Sequence, residues 1–400
     1  NVTTFTFSEN PLNYILGIMV YLADGVYNWF YQVFDISDNV LVTPNSTLTM
    51  HTVGPMLSFE LPTPLNATIS YNNSVVINVS ITNASDLSTF IWNWNGINES
   101  KVVVSGNISQ WTFALSSLSN FTLSNSSSSV ALYDNSLVLM MNFNNVSALG
   151  ENATHVKDVS RYGNNGTVYG GAIWNSSGRY GGAYQFDGTA NQYITVGNLD
   201  YNLLTFSAWI KRGAIGGATN GLILSVSDNG WGVYFGSANT LTFGKVGVDE
   251  IISNVTVADI TNWHHVVVSY NGSDAKFYLD GILNSTISYS STFSSGGLYN
   301  IAARSSGSAN YPGLIDEVRV YNRSLTSAEI QQIYISNLYK YDIDKWGVIL
   351  NSSASNYVLS SKGNGERTFA KFSDSSFAFI TNQSNLSVGS YTYQSFVNDS

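Results

Sequence analysis

The chain has no cysteine, which removes a disulfide framework and any thiolate metal site in one step. Charge is scarce too: Asp, Glu, Lys and Arg make up 10% of the 400 residues, against about 25% in an ordinary soluble protein. Solubility must therefore come from another source. Bases are the rarer sign, 16 against 26 acids, and the first of them is Lys101. With a net charge of −10 and no basic stripe, nothing can displace counterions from phosphate, so nucleic acid is excluded as a partner. The sequence also contains no phosphate loop and no metalloprotease helix motif.

What is abundant is asparagine. Of 45 Asn, 22 stand in N-x-Ser/Thr with x other than Pro, where chance at this Ser/Thr content gives about ten. The acceptors include Asn45, Asn66, Asn72, Asn78, Asn83, Asn98, Asn107, Asn120, Asn125, Asn145, Asn152, Asn165, Asn175, Asn254, Asn271, Asn284, Asn322, Asn351, Asn382 and Asn385. N-linked glycans there would supply the hydration that charge does not. This pattern predicts a secreted or cell-surface glycoprotein, and a first residue other than Met agrees with removal of a leader or with a trimmed chain.

Residues 11–34, PLNYILGIMVYLADGVYNWFYQVF, form the single long apolar segment. Pro11 suits a first helical turn behind Ser8 or Asn10, so a helix over about 11–34 is expected. It is apolar nearly all round, which fits burial in a subunit interface, a membrane anchor or a private core helix. Membrane contact stays open at this point, because Asp24-Gly25 interrupts the segment and no Lys or Arg flanks it.

From residue 61 the pattern changes to short alternating runs with turn residues between them. The divisions expected are an N-terminal segment 1–60, a small β-sandwich module 61–130, a larger two-sheet sandwich 131–335, and a second small β-module 336–400. After the strand that ends near Tyr321, one short helix is expected. Thr326 and Glu329 fit a capping box, Leu325 and Ile330 a hydrophobic staple, and Ile330, Ile333 and Tyr334 an apolar stripe.

Five phrases in order, VSRYGNNGTVYGGAIW (159–174), GGAYQFDG (181–188), TFSAWIKR (205–212), NWHHVVVSYNGSDAKFYLDGIL (262–283) and GLIDEVRVYNRSLTSAEIQQIY (313–334), resemble the laminin-G-like, concanavalin A-like jelly roll. The flanks resemble the immunoglobulin-like modules that accompany such domains in archaeal surface proteins. The resemblance implies a mainly β fold: a central jelly-roll sandwich, flanking immunoglobulin-like modules and one N-terminal apolar helix. For activity it implies little, since the fold serves lectins, adhesins, glucanases and spacers. Sugar-cleaving relatives carry E-x-D-x-x-E on one strand, and none of the eight Glu here is followed two positions later by Asp. An enzyme is not expected.

Asp316 and Glu317 sit side by side in GLIDEVRVY. Strict alternation places Asp316 with Val318 and Val320, and Glu317 with Arg319 on the opposite, exposed face, so the two carboxylates are not expected to share a site. The resemblance implies a structural Ca²⁺ near Asp316, with Asp187, Asp158 and Asn144 (or Asn145) as oxygen donors; a hydrogen-bonded structural Asp is the competing reading. Asp280 reads as a turn residue. His264 and His265 point to opposite faces and chelate no common metal. Trp209 and Trp263 read as packing residues, and Trp231 in SDNGWGVYFG as a candidate glycan contact. The interval between Asn175 and Asn254 has no sequon, which marks either a contact face around 205–236 or strands buried in the sandwich. Together these expectations describe a non-enzymatic extracellular structural protein, a self-assembling subunit of a filament, surface layer or virion. Its partners would be copies of itself or other surface proteins. A cell-surface adhesin binding glycan or protein is the alternative.

Overall fold

Alternation of apolar and polar residues dictates strands over most of the chain, and strands are what the computed structural model shows. It describes residues 22, 25–30, 32–34, 37–50, 54–83, 87–105, 108–189, 191–213, 221–226, 229–236, 239–304, 309–351, 357–363, 366–373 and 376–399. The chain divides into two units, Asn1–Gly54 and Pro55–Ser400.

In the first unit, Gly25–Trp29 pairs antiparallel with Ser46–Met50, and Gln32–Phe34 with Val40–Val42. The expected helix over 11–34 is therefore wrong from Gly25 onward, and residues 11–21 lie outside the described ones. The physical reason is visible in hindsight. Asp24-Gly25 ends any helical run, and the β-branched and aromatic residues beyond it find Thr- and Val-rich partners at hairpin distance. Asp38, in the turn between the inner strands, takes a positive φ of 60°. Among the described residues no helix is long and apolar enough to cross a membrane.

The second unit contains a sandwich made from both flanks. Its seven-stranded sheet runs Ser129–Tyr133, Leu118–Ser124, Tyr357–Gly363, Arg367–Ser373, Ser376–Gln383, Val75–Thr82, Met56–Glu60. Its six-stranded sheet runs Ser336–Asp342, Lys345–Asn351, Ile108–Ala114, Ile97–Ser105, Leu87–Trp94, Tyr393–Asp399. Residues 61–130 and 336–400 are thus not two separate modules. Each sheet interleaves strands from both, and all pairs are antiparallel. One shared core results, in which Ile77, Val79, Trp92, Trp111, Phe121, Phe369 and Phe379 are buried together. The jelly roll is an insertion between Tyr133 and Ser336.

Within the insertion one sheet runs Ile173–Asn175, Ala183–Asp187, Pro312–Tyr321, Leu204–Arg212, His264–Tyr270, Asp274–Leu279, Ile282–Ser288, and Leu137–Met141 also pairs with Pro312–Tyr321. The other runs His155–Val156, Gly166–Tyr169, Tyr193–Thr195, Asn300–Ile301, Gly221–Ser225, Trp231–Phe235, Thr240–Lys245, Asp249–Thr256. Between the two sheets lies an apolar core that includes Phe206, Ile223, Val233, Phe243, Val266, Phe277 and Ile315. The helix Ser327–Ile335 carries the expected capping box in full, with Leu325, Ile330 and Ile333 buried. This helix and the outer face of the first jelly-roll sheet share a buried apolar cluster with the sandwich: Tyr278, Tyr321 and Ile333 belong to the same cluster as Trp111 and Trp346.

Candidate functional site

The two carboxylates that alternation separates are brought to one face by a bulge. Opposite Ser207 and Trp209 the neighbouring strand places Arg319 and Asp316, one residue more than regular pairing allows. Glu317 absorbs the extra residue at φ +51°. As a result Ile315, Val318 and Val320 point into the jelly-roll core, while Asp316, Glu317 and Arg319 turn outward to the seam with the sandwich. There they meet Ser207, Trp209 and His265 from the adjacent strands, and Ile333, Ser336 and Asn337 from the helix and the strand after it. Together with Glu317 and Arg319 these residues form a tightly packed seam with no room for a water molecule.

Glu317 and Arg319 do not form the exposed pair expected; both are buried. Glu317 accepts from Asn142 Nδ2 at 2.7 Å, Asn337 Nδ2 at 2.9 Å and Arg319 Nη2 at 3.2 Å. Arg319 Nη2 also donates to Asn337 Oδ1 at 2.6 Å and to the Leu338 carbonyl at 3.1 Å. Asp316 accepts the backbone N–H of Glu317 at 2.7 Å and that of Tyr180 at 3.0 Å. His265 is fully buried, with Nε2 2.8 Å from Ser207 Oγ. Arg179 lies over the Trp209 ring, 4.5 Å from its centroid, and Tyr334 stacks on Trp209 at 5.5 Å.

Burial governs the titration of this cluster. It pushes Glu317 up to about 7 against the opposing pull of Arg319 and the two amides. It raises Asp316 well above the usual carboxylate range, helped by the adjacent Glu317 charge. The same burial, with Arg319 and Arg179 nearby, holds His265 down to about 3, so the ring stays neutral. Native Glu317 keeps its proton where an unfolded glutamate has released it. Its share of stability is therefore complete below about pH 4.5 and lost as pH rises through about 7. His265 acts the other way: its share is complete above about pH 6.5 and lost as pH falls toward 3. Glu317→Gln removes the first titration. The stability difference, wild type minus variant, is expected to fall by up to about 1.4 kcal/mol per pH unit as pH rises from 5 to 7. Urea melts at pH 5, 6 and 7 check this, and a difference that grows with pH would contradict the assignment.

A Ser–His pair beside two carboxylates has the parts of a nucleophile and base. Here the serine is 1% and the histidine 0% exposed, and the ring's Nδ1 has no hydrogen-bond partner to orient it. The arrangement ties the jelly roll to the sandwich; it does not present a nucleophile to a substrate.

The calcium donor set is not assembled either. Asp158 accepts the N–H groups of Met140, Ser160 and Asn164 and the Ser160 hydroxyl. Asp187 is exposed and accepts from Thr189 N, and Asn144 Oδ1 accepts from Gly182 N. Lone pairs aimed at N–H donors are not aimed at a cation, so the residues present do not fit the ion that the resemblance implies. Among the described residues no group of three or more His, Cys, Asp or Glu could hold a metal. Asp316 is the hydrogen-bonded structural carboxylate of the competing reading.

Trp231 is not a surface contact. It is fully buried, donates its indole N–H to the Leu199 carbonyl at 2.7 Å, and packs against Phe206, Phe243 and Tyr299. The strand Trp231–Phe235 starts at this residue, and Trp231, Val233 and Phe235 all face the core. Within the sequon-free interval, Leu204–Arg212 is buried apart from Lys211, and Trp231–Phe235 throughout. The glycine-rich residues 214–220 lie outside the described ones. Asp280 does occupy a hairpin turn, at φ +50°, and its carboxylate binds His265 N at 2.8 Å and sits 2.9 Å from His264 Nδ1. Trp209 is buried and Trp263 half-buried. Every sequon Asn named above is exposed or half-buried, save Asn107, which lies outside the described residues.

Sequence reasoning missed Ser207, Arg179, Asn142 and Asn337. The available signal was a polar side chain inside an apolar strand, Ser207 between Phe206 and Ala208 and Arg319 between two valines.

Residues 186–331 match the family described as the concanavalin A-like lectin/glucanases superfamily, laminin G type. Among solved structures, domain 4 of AbnA, a GH43 extracellular arabinanase from Geobacillus stearothermophilus, is similar at 17% identity and a TM-score of 0.41, covering 50% of this chain and 98% of that one. The binding domain of Paraclostridial Mosquitocidal Protein 1 is similar at 17% identity and a TM-score of 0.41, covering 52% and 54%. The botulinum neurotoxin serotype G binding domain matches at 17% identity and a TM-score of 0.40, covering 50% of each. The chain thus spans about half the length of the two toxin domains. The inserted domain is a laminin-G-like, concanavalin A-like jelly roll.

Proposed function

We propose that this chain, built around a concanavalin A-like jelly roll, is a non-enzymatic, N-glycosylated structural subunit of an extracellular assembly, and that its N-terminal ribbons make the contact between copies. One observation carries the reading. The paired strands of residues 25–50 expose Val26 (66%), Phe34 (60%) and Leu41 (69%) to solvent, although a two-stranded ribbon cannot bury its own apolar face. Exposed apolar side chains gathered on short paired strands fit an association site. Residues 1–54 hold four acids and no Lys or Arg, so an anionic lipid surface or polyanion is a poor partner, whereas a second copy brings a matching apolar ribbon.

The double variant Phe34→Asp/Leu41→Asp is expected to abolish assembly, read by light scattering and electron microscopy, while leaving the melting of residues 55–400 in place. Retained assembly would sink the ribbon contact. The adhesin alternative draws on the family of the central domain, but its candidate contact, Trp231, is buried.

A further inference from the structure

Several exposed apolar side chains on this surface sit two residues upstream of a glycosylation sequon. In four strands an exposed residue precedes a sequon asparagine by two positions. Regular alternation puts both side chains on one face at Ile173/Asn175 and Phe396/Asn398. At Ile252/Asn254 and Ile282/Asn284, where the pairing shifts register, both residues are exposed. The pairs are Ile173/Asn175 in Ile173–Asn175, Ile252/Asn254 in Asp249–Thr256, Ile282/Asn284 in Ile282–Ser288 and Phe396/Asn398 in Tyr393–Asp399. The apolar members are 64%, 66%, 70% and 50% exposed. All four strands are edges: the first and third close the two ends of one jelly-roll sheet, the second ends the other, and the fourth ends the six-stranded sheet.

An exposed apolar residue on an unpaired edge is a template for unwanted pairing. The usual remedy is a charged side chain, and this chain has few. A sugar ring has an apolar C–H face and a hydroxyl rim, so it covers an apolar side chain on one side and presents a hydrated surface on the other. In an interior strand with the same spacing, Ile380 precedes Asn382 by two and stands opposite Asn78 in register, which brings two acceptors to one exposed isoleucine.

We propose that N-linked glycans at Asn175, Asn254, Asn284 and Asn398 fold back onto Ile173, Ile252, Ile282 and Phe396, and that these sugar–side-chain contacts close the four edges. The sugars then perform the edge protection that charge provides in other β proteins. The assignment rests on the glycosylation part of the proposed function, but not on self-assembly.

The test is a cycle of Ile252→Ser, Asn254→Gln and the double variant, produced beside the wild type in one glycosylating host. Glycopeptide mass spectrometry reads occupancy, and thermal melting with turbidity reads the consequence. With Asn254 occupied, Asn254→Gln is expected to lower the melting temperature by about 2 °C and to bring aggregation forward. In the Ile252→Ser background the same change should do neither. Occupancy with equal effects in both backgrounds would overturn the contact while leaving glycosylation intact. An unoccupied Asn254 in the wild type would overturn the contact and the glycosylation reading together. The same cycle at Phe396/Asn398 guards against a local defect at one site.

Discussion

At pH 8, above the range in which Glu317 keeps its proton, Arg319→Leu is expected to destabilise the chain by about 3–5 kcal/mol, because it removes the cation bonded to the Glu317 carboxylate in the buried seam. Glu317 and Arg319 are each nearly inaccessible, at 3% and 2% exposure, so water cannot replace what is lost. The guanidinium also supplies the Asn337 and Leu338 contacts, which fasten the first strand of the sandwich's C-terminal half to the jelly roll. At the same pH, adding Glu317→Gln should recover a large part of the loss, since no carboxylate is then left to ionise without its partner. Urea titration of the single and double variants measures both steps. A single-variant loss below about 1 kcal/mol, the size of an exposed pair, would mean that the cluster is hydrated.

Trp231→Ala should be comparably damaging, at about 3–5 kcal/mol, through the cavity left between Phe206, Phe243 and Tyr299 and the Leu199 carbonyl left unbonded. An exposed sugar-stacking tryptophan behaves differently: its removal abolishes glycan binding and barely moves the melting temperature. Thermal melts and glycan binding on the same variant separate the two. Unchanged stability would return Trp231 to the surface and revive the adhesin reading.

Much of the architecture was legible in the sequence, for reasons that are local. The capping box at Thr326 and Glu329, the staple at Leu325 and Ile330, and the turn at Asp280 depend on residues a few positions apart. The jelly-roll phrases are likewise contiguous strings. What was not legible depends on distance or on one dihedral. Pairing of Leu118–Ser124 with Tyr357–Gly363 joins strands on either side of a whole inserted domain, and each flank alone reads as a complete small module. The faces of Asp316 and Glu317 hang on a bulge at a glutamate with positive φ, a conformation no composition rule assigns to that residue. One extra residue moves Asp316 from the core side of the strand to the seam. In the N-terminal segment, apolar content without clear periodicity reads equally as helix or strand, and the hairpin partner at Val40–Met50 decides between them.

A protein of this kind is defined by what it builds, so the most direct measurement is electron microscopy of the native, glycosylated material without detergent. Regular filaments, lattices or shells in which residues 25–50 lie between neighbouring copies are the predicted result. Isolated particles at native concentration, with those ribbons covered by their own chain, would contradict the account.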